Sequence, residues 1–173
     1  ITVRDLRLYH IAFPATHITA RFAGQDDAMH RIFDAAVETF RANTVDIYMD
    51  CPSRERAGWL CDSFFTSRVE RVLTGRSDVE RAFLQNFLLP EHFAFLPDGM
   101  LPMCYPSDHN DRTFIPNWAM WYGVEMGEYL MRTGDRAFTD SARERLYALL
   151  AYFASFENEY GLLEGLKSWV FVE

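Results

Sequence analysis

The chain has 173 residues, 49% of them hydrophobic and 24% charged, which is the balance of a globular chain able to bury a sizeable core. A net charge of −8 argues against a general grip on nucleic acid. No apolar run approaches the roughly 18 residues of a membrane span. The three cysteines, Cys51, Cys61 and Cys104, fit neither a disulfide framework nor a zinc template, so no metal or cofactor is expected. A single Cys51–Cys61 bridge and the cellular compartment both stay open.

In chain order, residues 1–23 read as two short strands separated by Pro14. In the second, Ile18, Ala20 and Phe22 alternate with Thr19 and Arg21. Five helices are expected to follow. The first runs from about Asp26 to Asn43, with Met29, Ile32, Phe33, Ala36, Val37 and Phe40 on one face. The second runs from about Trp59 to Thr74 with Cys61, Phe65, Val69, Val72 and Leu73 inward, and closes at Gly75. Ser77 and Glu80 have the spacing of a capping box. They open a third helix with Val79, Phe83, Leu84, Phe87 and Leu88 inward, stopped by Pro90. Residues 90–114 form a long irregular segment of the kind that is usually functional or disordered, and its aromatics argue for function. Asp108, His109, Asn110 and Asp111 within it read as a polar turn, since no metal template fits them. The fourth helix begins at Pro116 and ends at Gly134. The fifth spans about Phe138–Phe156, with Leu146, Leu149, Leu150 and Phe153 inward. Short and long connections alternate, the pattern of antiparallel helical hairpins. Both termini fall within runs that look interrupted, and the chain reads as part of a longer one.

Residues 44–63 concentrate chemistry between the first two helices. Asp46, Asp50, Glu55 and Asp62 stand among Arg54, Arg56, Tyr48 and Trp59. A solvated loop does not need large aromatics, and Asp62 sits in the first helical turn, near the positive end of the dipole. Carboxylates accept strongly from hydroxyls, and an aromatic face covers the C–H face of a sugar, so the combination suits a carbohydrate.

The stretch Asp50-Cys51-Pro52-Ser53-Arg54-Glu55-Arg56-Ala57-Gly58-Trp59-Leu60-Cys61-Asp62 resembles the signature of bacterial α-L-rhamnosidases. These are glycoside hydrolases of the family 78 type, built on an (α/α)6 barrel. Ile115-Pro116-Asn117-Trp118-Ala119-Met120-Trp121, Arg132-Thr133-Gly134-Asp135 and Trp169-Val170-Phe171-Val172-Glu173 follow in the family's order. The resemblance implies a mainly α fold: a partial (α/α)6 toroid over 24–173, with 1–23 as a β lead-in from a preceding domain or linker. It implies an inverting, exo-acting α-L-rhamnosidase with Glu55 as general acid. Asp50, Arg54, Trp59, Asp62, Trp118, Trp121 and Glu173 then line the pocket for a rhamnose-containing oligosaccharide or glycoside. The general base falls further along the family's barrel, beyond Glu173. The resemblance implies no cofactor, and neither nucleic acid nor membrane as partner. Inward helix faces of a partial toroid would meet the rest of the parent chain or self-associate, and the segment alone would be inactive. The competing readings are a non-catalytic carbohydrate-binding or scaffold helical domain, and a six-hairpin glycosidase of another sugar preference.

The carboxyl chemistry is sensible in its own right. A glycosidase acid must hold a proton at working pH. Burial beside Trp59 and like charge from Asp50 and Asp62 would favour that proton, while Arg54 and Arg56 would oppose it. The sequence leaves this balance open.

Overall fold

A computed structural model describes residues 2–107 and 112–169. The mainly helical class is as expected. Among the described residues six α-helices follow one another: α1 Asp27–Asn43, α2 Asp62–Thr74, α3 Asp78–Asn86, α4 Pro116–Thr133, α5 Arg136–Ser141 and α6 Arg143–Ala154. Consecutive helices pack from α1 to α6, and α4 also packs on α6. Phe83, Leu84, Phe87, Leu101 and Tyr122 lie at the centre of the core. None of the described helices is long and apolar enough to cross a membrane.

The connections alternate as expected. Residues 75–77 and 134–135 make tight turns, with Gly75 (φ 72°) and Gly134 (φ 71°) in the left-handed region that lets a helix stop. Residues 44–61 and 87–115 are long, and they meet each other. Leu60 donates its N–H to Met103 (3.0 Å), and Tyr105 donates to Gly58 (3.0 Å). The two loops are thereby zipped across the N-terminal ends of α2 and α4. Gly58 is required there, because a Cβ would fall 2.5 Å from the Tyr105 carbonyl oxygen.

The expected strands are absent among the described residues of 1–23, which hold only a 3-10 turn at Ala15–His17. The burial alternation is nevertheless correct, since Ile18 is buried, Ala20 half-buried and Thr19 exposed. This extended segment lies against helices instead of a sheet. Thr19 and Ala20 both donate to the Leu73 carbonyl at the end of α2 (2.8 and 3.0 Å), and Phe22 stacks on Phe33 of α1.

Several helix expectations also change. The face of α2 read as inward is largely outward, with Phe65, Val69 and Val72 exposed. The buried face carries Ser63, Phe64, Ser67, Glu70, Leu73 and Thr74, because its polar groups find partners on α3, α4 and the first long loop. Ser77 does not cap α3; the Glu70 carboxylate accepts from Val79 and Glu80 N–H (both 3.0 Å), and Glu80 instead pairs with Arg132. The expected fifth helix is two, broken at the buried Ala142. Leu150 is exposed, as are Met29 and Ile32 of α1, while Leu149, Phe153 and Phe40 are buried.

Candidate active site

The loop between α1 and α2 is held from inside. Tyr48 is fully buried, and its hydroxyl donates to the Glu70 carboxylate. Its ring packs on Phe83. Tyr48 is therefore an anchor for the loop, which answers why a charged loop contains it. Two residues on, Asp50 pinches the loop shut. Its N–H donates to the Ala57 carbonyl (3.2 Å), and its carboxylate accepts from the Ala57 N–H (3.1 Å). Glu55 lies within the pinched turn, its N–H 3.4 Å from Cys51 Sγ. Ligand atoms of Asp50, Cys51 and Glu55 lie within 4.8 Å of one another. All three cysteines are free thiols.

The two carboxyls titrate as a pair. Its hydrogen bond with Asp50, partial burial and the Asp50 charge push Glu55 above its ordinary value, against the pull of the exposed Arg54 that pairs with it. Burial alone would push Asp50 up, but bonds from Glu55, Cys51 and the backbone outweigh it and hold Asp50 low. The pair thus raises the Glu55 carboxyl and lowers that of Asp50. Of the influences left open by the sequence, Asp50 is the leading one and raises Glu55 against Arg54.

Trp59 and Trp118 pack against a small buried cluster of Ala57, Met103, Cys104 and Ile115. Trp118 also donates to the Asp62 carboxylate. Partial desolvation and the Asp50 charge nevertheless push Asp62 above its ordinary value. Asp50, Arg54, Glu55, Trp59, Asp62 and Trp118 thus gather at the mouth formed by the two long loops. Trp121 points along the α2 flank, its ring 4.5 Å from that of Phe64. Glu173 and the Asp108–Asp111 turn lie outside the described residues.

The reading from sequence missed the carboxylates beneath the mouth. Glu70, Glu80 and Glu125 are almost wholly buried. Glu125 accepts from Ser63 Oγ (2.8 Å), and burial pushes its carboxyl up to about 8. The available signal was an acid seven residues after Trp118 and four after Trp121, on the same helix face.

Residues 17–172 match the family described as the bacterial alpha-L-rhamnosidase 6 hairpin glycosidase domain. The chain belongs to that family. Among solved structures it is similar to a rhamnosidase from Klebsiella oxytoca with rhamnose bound, at TM-score 0.71 and 21% identity over 86% of this chain and 29% of that one. It is also similar to a GH78 family rhamnosidase of Bacillus sp. GL1, at TM-score 0.71 and 22% identity over 86% of this chain and 15% of that one. A comparison with curated proteins finds no match. The chain thus spans less than a third of either rhamnosidase, and at this identity the likeness establishes the shared fold. The hydrolase class of the family and the helical hairpins of this chain agree.

Proposed function

We propose that this chain supplies the acid side of the active site of an inverting, exo-acting α-L-rhamnosidase. The observation that carries the reading is the Asp50–Glu55 pair, two carboxyls held within 4.8 Å of each other at a loop mouth, with Glu55 raised by its neighbour. Glu55 donates its proton to the leaving oxygen as the glycosidic bond breaks. Asp50, Arg54 and Asp62 bind sugar hydroxyls, Trp59 and Trp118 border the ring, and Trp121 and Glu173 complete the pocket wall. Asp50 is unsuited to be the base. Its carboxylate lies within 4.8 Å of that of Glu55, whereas inversion needs a water and a sugar carbon between carboxyls about 6.5–9.5 Å apart. The base is therefore assigned to a part of the domain outside residues 1–173.

Residues 24–173 are read as the first hairpins of an (α/α)6 toroid. The outward apolar residues of α2, Phe65, Val69 and Val72, support this, since further hairpins would cover them. The chain in isolation is expected to self-associate and to be inactive. Light scattering of residues 1–173 together with an assay on p-nitrophenyl α-L-rhamnoside checks this, and a monomer with full turnover would contradict it.

The test of function uses the full-length protein carrying this chain. Glu55→Gln should lower turnover of natural rhamnosides by about 10²–10⁴-fold and that of activated aryl rhamnosides much less. Equal loss on both substrates removes Glu55 from the acid role. Rhamnose binding without hydrolysis by the unmodified protein would favour a carbohydrate-binding module, and preference for another aryl glycoside would change the sugar.

A further inference from the structure

The first turn of α2 is clamped residue by residue onto one face of α4. Asp62 accepts from Trp118, Ser63 donates to Glu125 at 2.8 Å, and Phe64 packs on Trp121 at 4.5 Å. Trp118, Trp121 and Glu125 recur at helical spacing, so all three point the same way. The turn leading into this clamp is strained. Cys61 has φ 77° and ψ −54°, a γ-turn geometry that non-glycine residues rarely adopt. A strained turn persists only where its surroundings over-determine it. Here the surroundings include a fully buried carboxyl that holds Ser63, two residues beyond the turn.

We propose that Glu125 is a positioning residue that, through Ser63 and the Cys61 turn, fixes the direction in which Asp62 meets the sugar. The proposal rests on the reading of residues 50–62 as the rhamnose pocket. Glu125 is itself fully buried and meets Ser63, the residue after Asp62. Its other charged neighbours are Glu80 of α3 and Arg132 of α4, with the Cys61 thiol at the turn. Burial and Glu80 keep Glu125 protonated near neutrality, so Gln can replace it with little change of charge or shape.

The experiment compares Glu125→Ala, Glu125→Gln and Ser63→Ala in the full-length protein, with two readouts. The first is the indole N–H resonance of Trp118, assigned with Trp118→Phe; it reports the bond to Asp62 whether or not any substrate turns over. The second is the division of lost activity between KM and kcat on p-nitrophenyl α-L-rhamnoside. Glu125→Ala and Ser63→Ala should shift the resonance and raise KM about tenfold, with kcat changed much less, because a uniform binding interaction is weakened. Glu125→Gln should keep both near the unmodified values. A folded Glu125→Ala with native KM and an unmoved resonance overturns the proposal, as does a Gln variant shifted as far as Ala. If Glu125→Ala does not fold, Ser63→Ala decides in the same way. If the unmodified protein hydrolyses no rhamnoside, the function reading fails, and the resonance still decides whether Glu125 places Asp62.

Discussion

The two ends of the helical hairpins solve the same problem differently. At the short end, α2 and α4 stop at Gly75 and Gly134, in left-handed conformations that cost glycine nothing, and an added Cβ at either would meet no atom within 4 Å. At the long end, Arg56 (φ 52°) and Cys61 (φ 77°) take positive angles with full side chains. Such positions typically cost about 1–3 kcal/mol each. What holds them is a set of polar partners: Asp50 on Ala57, Glu125 on Ser63, and Tyr48 on Glu70. One end is built for cheap turns and the other for the placement of carboxylates.

That contrast can be broken in several places. The largest stability effect is expected for Gly58→Ala. The new methyl collides with backbone at Tyr105, which cannot retreat without unzipping the loops, and unfolding measurements should show a loss of about 3 kcal/mol. Tyr48→Phe leaves a buried carboxylate short of a donor and should cost about 2 kcal/mol by the same measurement, while loosening the loop that carries Asp50 and Glu55.

A pH effect comes next. Glu125 is raised from 4.5 to about 8 in the folded chain, so between those values the native state holds a proton that the unfolded chain releases. Stability from this group is complete below about 4.5 and declines as pH rises through about 8. Glu80, Arg132, Cys61, Tyr48 and Tyr122 are the titratable groups that feel it. The melting temperature should fall by about 4 °C more between pH 5 and pH 8.5 in the unmodified protein than in Glu125→Gln.

The smallest effects are opposite in sign. Gly75→Ala should lose about 1 kcal/mol from left-handed strain. Cys61→Gly should gain about as much by relieving it, while weakening sugar binding through a looser Asp62. Equal responses at the two ends would erase the distinction between them.

Much of this was legible in the sequence, for physical reasons. The start of α1 follows from Asp26, whose carboxylate caps Ala28 and Met29, and α4 is bounded by Pro116 and Gly134. Local chemistry fixed those boundaries. The alternation at Ile18–Phe22 was real as burial, but period two reports which side chains are covered and not what covers them. The inverted face of α2 was illegible because hydrophobic periodicity assumes that polar residues seek water, whereas Ser63 finds Glu125, and Glu70 finds Tyr48 and the N–H groups that open α3, in the core. The start of α2 moved from Trp59 to Asp62 because Trp59–Cys61 are spent on the bridge to Met103–Tyr105 and the strained turn. For the site, the motif placed Asp50, Glu55 and Asp62 together. How the first two shift each other depended on their closeness in space, and the Ser63–Glu125 contact on packing across the core.

The central claim is that Asp50 raises the Glu55 carboxyl, and the pH dependence of kcat/KM reports it directly. Activity should fall on the alkaline side as free-enzyme Glu55 loses its proton, at a pH above that of an ordinary glutamate. Asp50→Asn removes the neighbouring charge, so that alkaline limb should move to lower pH, whatever the loss in absolute rate. A limb that stays in place or moves upward in Asp50→Asn would contradict the account.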